Sequence, residues 1–332
     1  MEAGKSTNTA MVNNQDKLSL FKEKINVIYK EKAGQVLTSI SKNRYETFRI
    51  NPNLASPPQV LVKLSDLGFN IVEGPFENSY INLSSFEEKK VSESDAFKNG
   101  SLYVQGLSSM LGTVVFNPLL GEKIIDLCAS PGSKTSQMCS LGADPKDIWA
   151  VENNSIRFFA LKRNLEIQGF GNVNLIKTNA SGITKTMPQY IEFFDKVLAD
   201  VPCSNEGNVR LNMEKALDYW RPGLSKHIPM LQKKILASGY HLLKKGGVLV
   251  YSTCTYSVEE NEEVVDWALR KFSDLKLLEI QPPKNQKMDN FLSGFTEFKN
   301  KTFSPDLKRT IRIAPNEYYD GFFIARFVKE SR

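Results

Sequence analysis

Two cysteines stand just past two apolar runs that read as core strands: Cys203 after DKVLADVP and Cys254 after GGVLVYST. Open α/β sheets bind their ligands at the carboxyl ends of strands, so the pattern puts two thiols on one functional face. Such a pair suits chemistry on an unreactive ring. Carbon 5 of cytosine is a poor nucleophile, and attack of a thiolate on carbon 6 converts the ring into an electron-rich enamine that can be methylated at carbon 5. A base must then remove the C5 proton and the thiolate must leave. A free thiol with a pKa of about 8.5 is only partly ionised at neutral pH, so a nearby cation is needed, and Lys134 is the candidate. Asp200, three residues before Cys203, can accept from the cytosine amino group or, if protonated, donate to ring N3. Pro202 stiffens the turn between acid and thiol. The other two cysteines, Cys128 and Cys139, read as packing.

The elements that must position these groups follow from the pattern upstream. From about residue 100 strands and helices alternate: EKIIDLCAS before SKTSQMCSL, DIWAVEN before SIRFFALKRNLEIQG, then NVNLIKTNA, DKVLADVPCS, a helix through IPMLQKKILASGYHLL, and GGVLVYSTC. Five such strands predict a doubly wound, mostly parallel sheet. TIRIAPNEYYDGFFIARFV adds two strands joined by a turn at Asp320 and Gly321. The loop DLCASPGSKTSQ after the first strand is neither G-x-G-x-x-G nor a P-loop, since residue 127 is Leu and Ser133 separates Gly132 from Lys134. Glu152 ends the second strand, roughly twenty residues on, where a carboxylate accepts from ribose hydroxyls. Loop and acid together favour a ribose-bearing cofactor without pyrophosphate. S-adenosylmethionine is the natural candidate, its ammonium and carboxylate held by loop backbone groups and a helix N-terminus.

Residues 16–100 predict a small α/β module, with helical spacing in LSLFKEKINVIYKEKA, a strand at YETFRIN and a helix in SPPQVLVKLSDLGF that starts at Ser56 and Pro57 and stops at Gly68. Residues 1–15 are polar, lack the apolar segment of a secretory signal and are expected to fray; residues 101–332 form the larger domain. In 332 residues, 41% hydrophobic and 24% charged, there is no run of about 18 apolar residues, so a soluble, cytoplasmic protein without a membrane span is expected. Four scattered cysteines and two histidines supply neither a disulfide framework nor a metal site. The net charge of +6 is compatible with a nucleic-acid partner without requiring one.

DLCASPGSKTSQ, AVENNSIR, DVPCSNEG and GGVLVYSTCTYSVEENE resemble, in order and spacing, the motifs of the Sun-type RNA cytosine-C5 methyltransferases, which include bacterial ribosomal RNA and transfer RNA enzymes. The likeness spans roughly residues 40 to 330 with YVQGLSSM and the C-terminal strands included, and the two cysteine motifs together are its specific part. The resemblance implies a Rossmann-like S-adenosylmethionine-dependent fold, with Cys254 as nucleophile and Cys203 assisting proton removal or product release. It implies cofactor contacts at Cys128, Ala129, Ser130, Pro131, Gly132, Ser133 and Lys134, then Glu152, Asn179 and Asp200. FRIN, residues 48–51, resembles the family's RNA-facing segment. Three positions depart from the pattern: Glu152 and Asn179 stand where Asp is usual, and Asn205 stands where Gly is common. Asn tolerates a left-handed turn.

The expected activity is methyl transfer to a cytosine C5 in structured RNA, ribosomal or transfer, by a monomer without metal. Arg49, Arg210 and Arg221 are the candidate RNA contacts. A DNA cytosine methyltransferase would use the Pro-Cys thiol as nucleophile and has no need of the second cysteine. An amino-group methyltransferase would carry Asn/Asp-Pro-Pro-Tyr/Phe where this chain has Asp-Val-Pro-Cys. The rival from another class is a non-catalytic RNA-binding or ribosome-assembly factor retaining the fold; it predicts RNA binding without a modified base.

Overall fold

The computed structural model describes residues 14–84, 89–221, 227–281 and 289–331. Of the tail expected at residues 1–15, residues 1–13 lie outside them. The first helical pattern forms α1 (Asn14–Tyr29) and, after one 3-10 turn, α2 (Ala33–Ile40). Phe21, Ile25 and Ile28 recur at helical spacing and are buried together with Val36 and Ile40. Their apolar face packs against Val209, Leu217, Trp220, Tyr256 and Ala314, all from the far half of the chain. Phe21 meets Trp220 edge-on with centroids 5.3 Å apart.

Next come β1 (Glu46–Ile50), α3 (Pro57–Asp66), β2 (Ile71–Glu73), β3 (Ser79–Asn82), α4 (Asp95–Lys98) and β4 (Leu102–Val104). The strands pair antiparallel in the order β2-β3-β1-β4, so the N-terminal sheet reaches Val104, a few residues past the expected boundary.

The second sheet contains β5 (Ile124–Asp126), β6 (Ile148–Val151), β7 (Asn174–Ile176), β8 (Phe194–Asp200) and β9 (Leu243–Thr253), all parallel, in spatial order β9-β8-β5-β6-β7. Between them run α6 (Ser133–Ser140), α7 (Ser155–Ile167), a short α8 (Ile183–Thr186) and α9 (Ile228–Leu242), preceded by α5 (Leu107–Phe116). After β9 follow α10 (Glu262–Lys271), β10 (Leu275–Leu277), β11 (Phe291–Ser293) and the two-residue pair β12 (Glu297–Phe298) and β13 (Lys301–Thr302). The last strands, β14 (Ile311–Ile313) and β15 (Phe322–Lys329), run antiparallel, with β15 against β9 and β14 beyond it. The alternation of side chains divides the core into two layers. Ile125, Val197, Ala199, Leu249 and Tyr251 pack under α9 and α10, while Ile124, Leu198 and Val250 pack under α5, α6 and α7.

One expected RNA contact is corrected here. Arg49 lies on β1, an inner strand, and is only 3% exposed. Its guanidinium donates to Gln105 Oε1 at 3.0 Å, Ser140 Oγ at 3.2 Å, the Ser133 carbonyl at 3.2 Å, Ser136 Oγ and Gln168 Oε1 at 3.1 Å. It lies 5.0 Å from the Tyr103 ring centroid, and burial lowers its pKa to about 10. The side chain facing away from the Phe48 and Ile50 layer is roofed by α6 and the end of α7, so Arg49 joins the two sheets and cannot touch RNA. Arg49→Ala strands several buried acceptors and should cost about 2–4 kcal/mol in chemical denaturation. An unchanged denaturation midpoint combined with weaker RNA binding would restore the RNA-facing reading.

Candidate active site

Strand order reverses at β5, which lies between β8 and β6, and the crevice at that switch point is where such sheets hold ligands. The five loops that follow β5, β6, β7, β8 and β9 converge on it. They enclose a cavity of about 490 Å³ lined by Cys128, Ser130, Glu152, Asn179, Asp200, Cys203 and Cys254, among others.

The first loop is shaped by its own residues. Asp126 accepts from Thr135 Oγ1 at 2.7 Å and from the Cys128 N–H at 3.3 Å, and burial raises its pKa to about 6. Gly132 caps α6 at φ +105°, and a Cβ there would sit 3.1 Å from Leu161 Cδ1, so conformation and space both call for glycine. Ser130 and Arg157 brace the loop reciprocally: Ser130 Oγ donates to the Arg157 carbonyl and Arg157 Nη2 to the Ser130 carbonyl, both at 2.8 Å. Cys128 and Ser130 therefore reach the cavity, while Ala129 is buried and Pro131 is exposed. Gly132, Ser133 and Lys134 open α6 behind the cavity wall.

Glu152 is 8% exposed at the end of β6; its Oε1 accepts from the Asn154 N–H at 2.8 Å and Oε2 lies 3.4 Å from Arg157 Nε. Asn179 lines the same cavity with its oxygen already engaged. Its Oδ1 already accepts from the Ser181 N–H at 3.0 Å and from Ser181 Oγ at 2.9 Å, so the amide NH2, a donor, is the group left for a ligand.

The two thiols meet. Cys203 Sγ and Cys254 Sγ are 3.1 Å apart, and Cys254 Sγ donates to Asn205 Oδ1 at 3.0 Å. Asn205 takes the left-handed conformation, φ +58°, that a glycine would take more easily. The hydrogen bond with Cys254 and burial push the Cys203 thiol well above its ordinary range. Burial likewise raises Cys128 and Cys139.

Lys134 does not serve a thiol directly. Its ammonium is 2.6 Å from Asp200 Oδ2 and donates to Ser109 Oγ at 2.9 Å. Ser252 Oγ donates to Asp200 Oδ1 at 2.6 Å, so both carboxylate oxygens are receiving and Asp200 is set as an acceptor. Arg210 pairs with Asp320 at 2.7 Å, its side chain 10% exposed, and Arg44 holds the same carboxylate, which corrects the free RNA contact expected of Arg210. Arg221 is exposed.

Several residues of the site carry no local signal. Glu206, 2% exposed, accepts from Thr255 Oγ1 at 2.9 Å, Trp220 Nε1 at 2.9 Å and Lys24 Nζ at 2.6 Å, tying the cysteine loops to α1. Arg312 and Glu262 form an ion pair with side chains 2% and 0% exposed, and Arg312 Nη1 also donates to the Tyr256 carbonyl at 3.0 Å. The partners in both networks are remote in sequence, so only folding reveals them. Among the described residues no group of three His, Cys, Asp or Glu is placed to hold a metal, and no helix is long and apolar enough to cross a membrane.

The family model described as 16S rRNA methyltransferase RsmB/F matches residues 113–328. A 28S rRNA (cytosine(4447)-C(5))-methyltransferase of Homo sapiens is 35% identical over 237 residues, covering 70% of this chain and 28% of that protein. A tRNA (cytosine(49)-C(5))-methyltransferase of Pyrococcus abyssi is 36% identical over 231 residues, 69% of this chain and 71% of that one. The crystal structure of a methyltransferase homolog protein from Pyrococcus horikoshii superposes with a TM-score of 0.78 at 29% identity, covering 95% of this chain and 98% of that chain. The chain thus spans just over a quarter of the human relative and more than two thirds of the archaeal one. It belongs to the RsmB/F family, the Sun-type RNA cytosine-C5 methyltransferases its motifs resemble, and its larger sheet is the Rossmann-like methyltransferase fold.

The thiol geometry predicts selective labelling. Cys203 should react with iodoacetamide only in strongly alkaline buffer, and Cys254→Ala, which removes the largest cause of its raised pKa, should move its labelling profile to lower pH. Peptide mass spectrometry across a pH series reads this; identical Cys203 profiles in the two proteins would contradict the coupling.

Proposed function

We propose that this chain transfers a methyl group from S-adenosylmethionine to C5 of a cytosine in structured RNA, through an adduct between Cys254 and cytosine C6. The observation that carries the proposal is the pair of thiols 3.1 Å apart, lining one cavity with Asp200 at the sheet's switch point. The residues present fit the cofactor: Glu152 offers a carboxylate for ribose hydroxyls, Asn179 an amide donor, and Cys128 and Ser130 the loop edge beside them. When bound, S-adenosylmethionine supplies an electrophilic methyl group.

Each group then has a task. Asp200, held by Lys134 and Ser252, accepts from the cytosine amino group and fixes the ring over Cys254. The Cys254 thiolate forms a bond to C6, and the electron pair displaced to C5 takes the methyl group. Solvent water in the open crevice takes the C5 proton, the C5–H electron pair re-forms the C5–C6 double bond, and the thiolate leaves C6. Cys203, kept as a thiol, hydrogen-bonds Cys254 as the C6–S bond breaks, which supports its role in product release. The named relatives include both ribosomal and transfer RNA enzymes, so the substrate is drawn as structured RNA.

Purified protein incubated with methyl-labelled cofactor and unmodified ribosomal RNA, transfer RNA and partly assembled ribosomal particles should yield labelled 5-methylcytidine. Cys254→Ala should abolish the product, and Cys203→Ala should accumulate a protein–RNA adduct on a denaturing gel. RNA binding with no modified base in any substrate would replace this reading with that of an assembly factor. Asp200→Asn should lower kcat about 100-fold, because an amide that turns its NH2 toward the base repels the cytosine amino group; full turnover by that variant would remove Asp200 from the site.

A further inference from the structure

The segment that carries Cys203 has almost no backbone structure of its own. Residues 201–205 belong to neither helix nor strand, and Pro202 has no N–H to give. The Val201 N–H still pairs with the Ser252 carbonyl at 3.1 Å, as the last bond of the β8 and β9 ladder. Beyond it two side chains take over. Gln232 Nε2 donates to the Pro202 carbonyl at 3.0 Å, and Glu260 Oε2 accepts the Ser204 N–H at 3.0 Å. The same Gln232 Nε2 donates to Glu260 Oε2 at 3.0 Å. One peptide group on each side of Cys203 is thus held by one linked pair.

Both side chains are 0% exposed and come from different elements, Gln232 from α9 and Glu260 from the turn before α10. Glu260 is fixed in turn by Tyr251, whose hydroxyl donates to the Glu260 carbonyl at 2.6 Å. Its carboxylate accepts from two neutral donors, the Ser204 N–H and Gln232 Nε2, and Oε1 is buried without a hydrogen-bond partner. Burial raises its pKa. An acid held this way is costly, and neutral packing would be more favourable if only stability were served. The cost is explained if a buried acceptor oxygen is needed at this point to hold the Ser204 amide in place.

Building on the adduct mechanism above, we propose that Glu260 and Gln232 are positioning residues that hold the Cys203 thiol against Cys254, and that they act at release of the methylated RNA. Neither side chain lines the cavity. Their effect reaches the chemistry through the Sγ to Sγ distance of 3.1 Å, which a shift of the loop by about 1 Å would spoil.

The test compares Glu260→Ala, Gln232→Ala and Glu260→Gln with wild type and with Cys203→Ala, using transcribed RNA and methyl-labelled cofactor. Glu260→Ala and Gln232→Ala should lower kcat about tenfold with KM nearly unchanged and should accumulate the denaturation-stable protein–RNA adduct. Glu260→Gln keeps an acceptor oxygen for the Ser204 N–H and should regain most of the turnover with little adduct. Gln232→Ala removes the hold on Pro202 while leaving the Ser204 bond, and it decides the matter where Glu260→Ala is too unstable to assay. Wild-type kcat and no adduct in folded Gln232→Ala would overturn the proposal, as would lost turnover without adduct. Cys203→Ala separates the two levels: if it too forms no adduct, the release role of Cys203 is what fails; if it traps RNA and the loop variants do not, only the positioning role fails.

Discussion

The register of β8 against β9 is the constraint from which the site follows. The strands are parallel, with Ala199 opposite Tyr251 and Asp200 opposite Ser252, so both reach the carboxyl edge of the sheet at the same level. Cys203 is three residues beyond Asp200 and Cys254 two beyond Ser252, which brings both thiols to one point. A slip of one residue would turn the side chains of one strand to the opposite layer and separate the thiols. Val197 and Leu249, facing one layer, and Leu198 and Val250, facing the other, are all fully buried, so each is fitted to the packing of its own layer. That fit and the hydrogen bond from Ser252 to Asp200, which marks the rung with polar atoms, align the reactive groups.

Around that rung the protein keeps several buried charges where hydrophobic packing would be more favourable. The Glu262 and Arg312 pair fixes the start of α10 to β14, and the Glu206 carboxylate joins the cysteine loops to α1 through Lys24. Replacing a buried pair by well-packed apolar groups is often neutral or stabilising, by about 1–4 kcal/mol. Such interactions are poor explanations for fold stability and better ones for geometry. They are directional, and each one joins elements that bracket the thiols.

What could be read from the sequence follows the same division. Strands β5 to β9 show themselves as apolar runs, and the chemistry of their loops sits directly after them in the chain, so Cys203, Cys254, Asp200 and Glu152 could be picked out and fall in one cavity. The left-handed turn at Asn205 was legible for the same local reason. The failures are long-range. Lys134 is 66 residues from Asp200, so its partner could not be told from a thiol; Arg49 is 119 residues from Gln168, and no periodicity says that β1 will be roofed. Lys24 and Glu206 are 182 residues apart. A charged residue in a strand reads as solvated, and only the helices laid over it determine otherwise. Asn179 is a different case: its identity is plain, but which end of the amide is spent depends on the turn it caps.

The roofing of β1 bears on how substrate is selected. The N-terminal sheet is joined to the catalytic sheet through Arg49, through Asn51 Nδ2 donating to the Gln168 carbonyl at 2.9 Å, and through Gly100, where a Cβ would sit 2.3 Å from the Ile167 carbonyl. Gly100 also takes φ +80°, so the close approach is available to glycine and to little else. A hinge needs a few residues free to change conformation and an interface that can part, and this junction offers buried polar bonds and backbone contact in place of both. The N-terminal module is consequently fixed against α6 and the end of α7. Closure of that module is disfavoured by the same bonds, and on the function proposed above the target nucleotide would leave its stack to enter a preset opening. On the function proposed above, the surface that reads the RNA is to be sought among exposed groups and not on the FRIN strand, whose side chains are buried inside the protein.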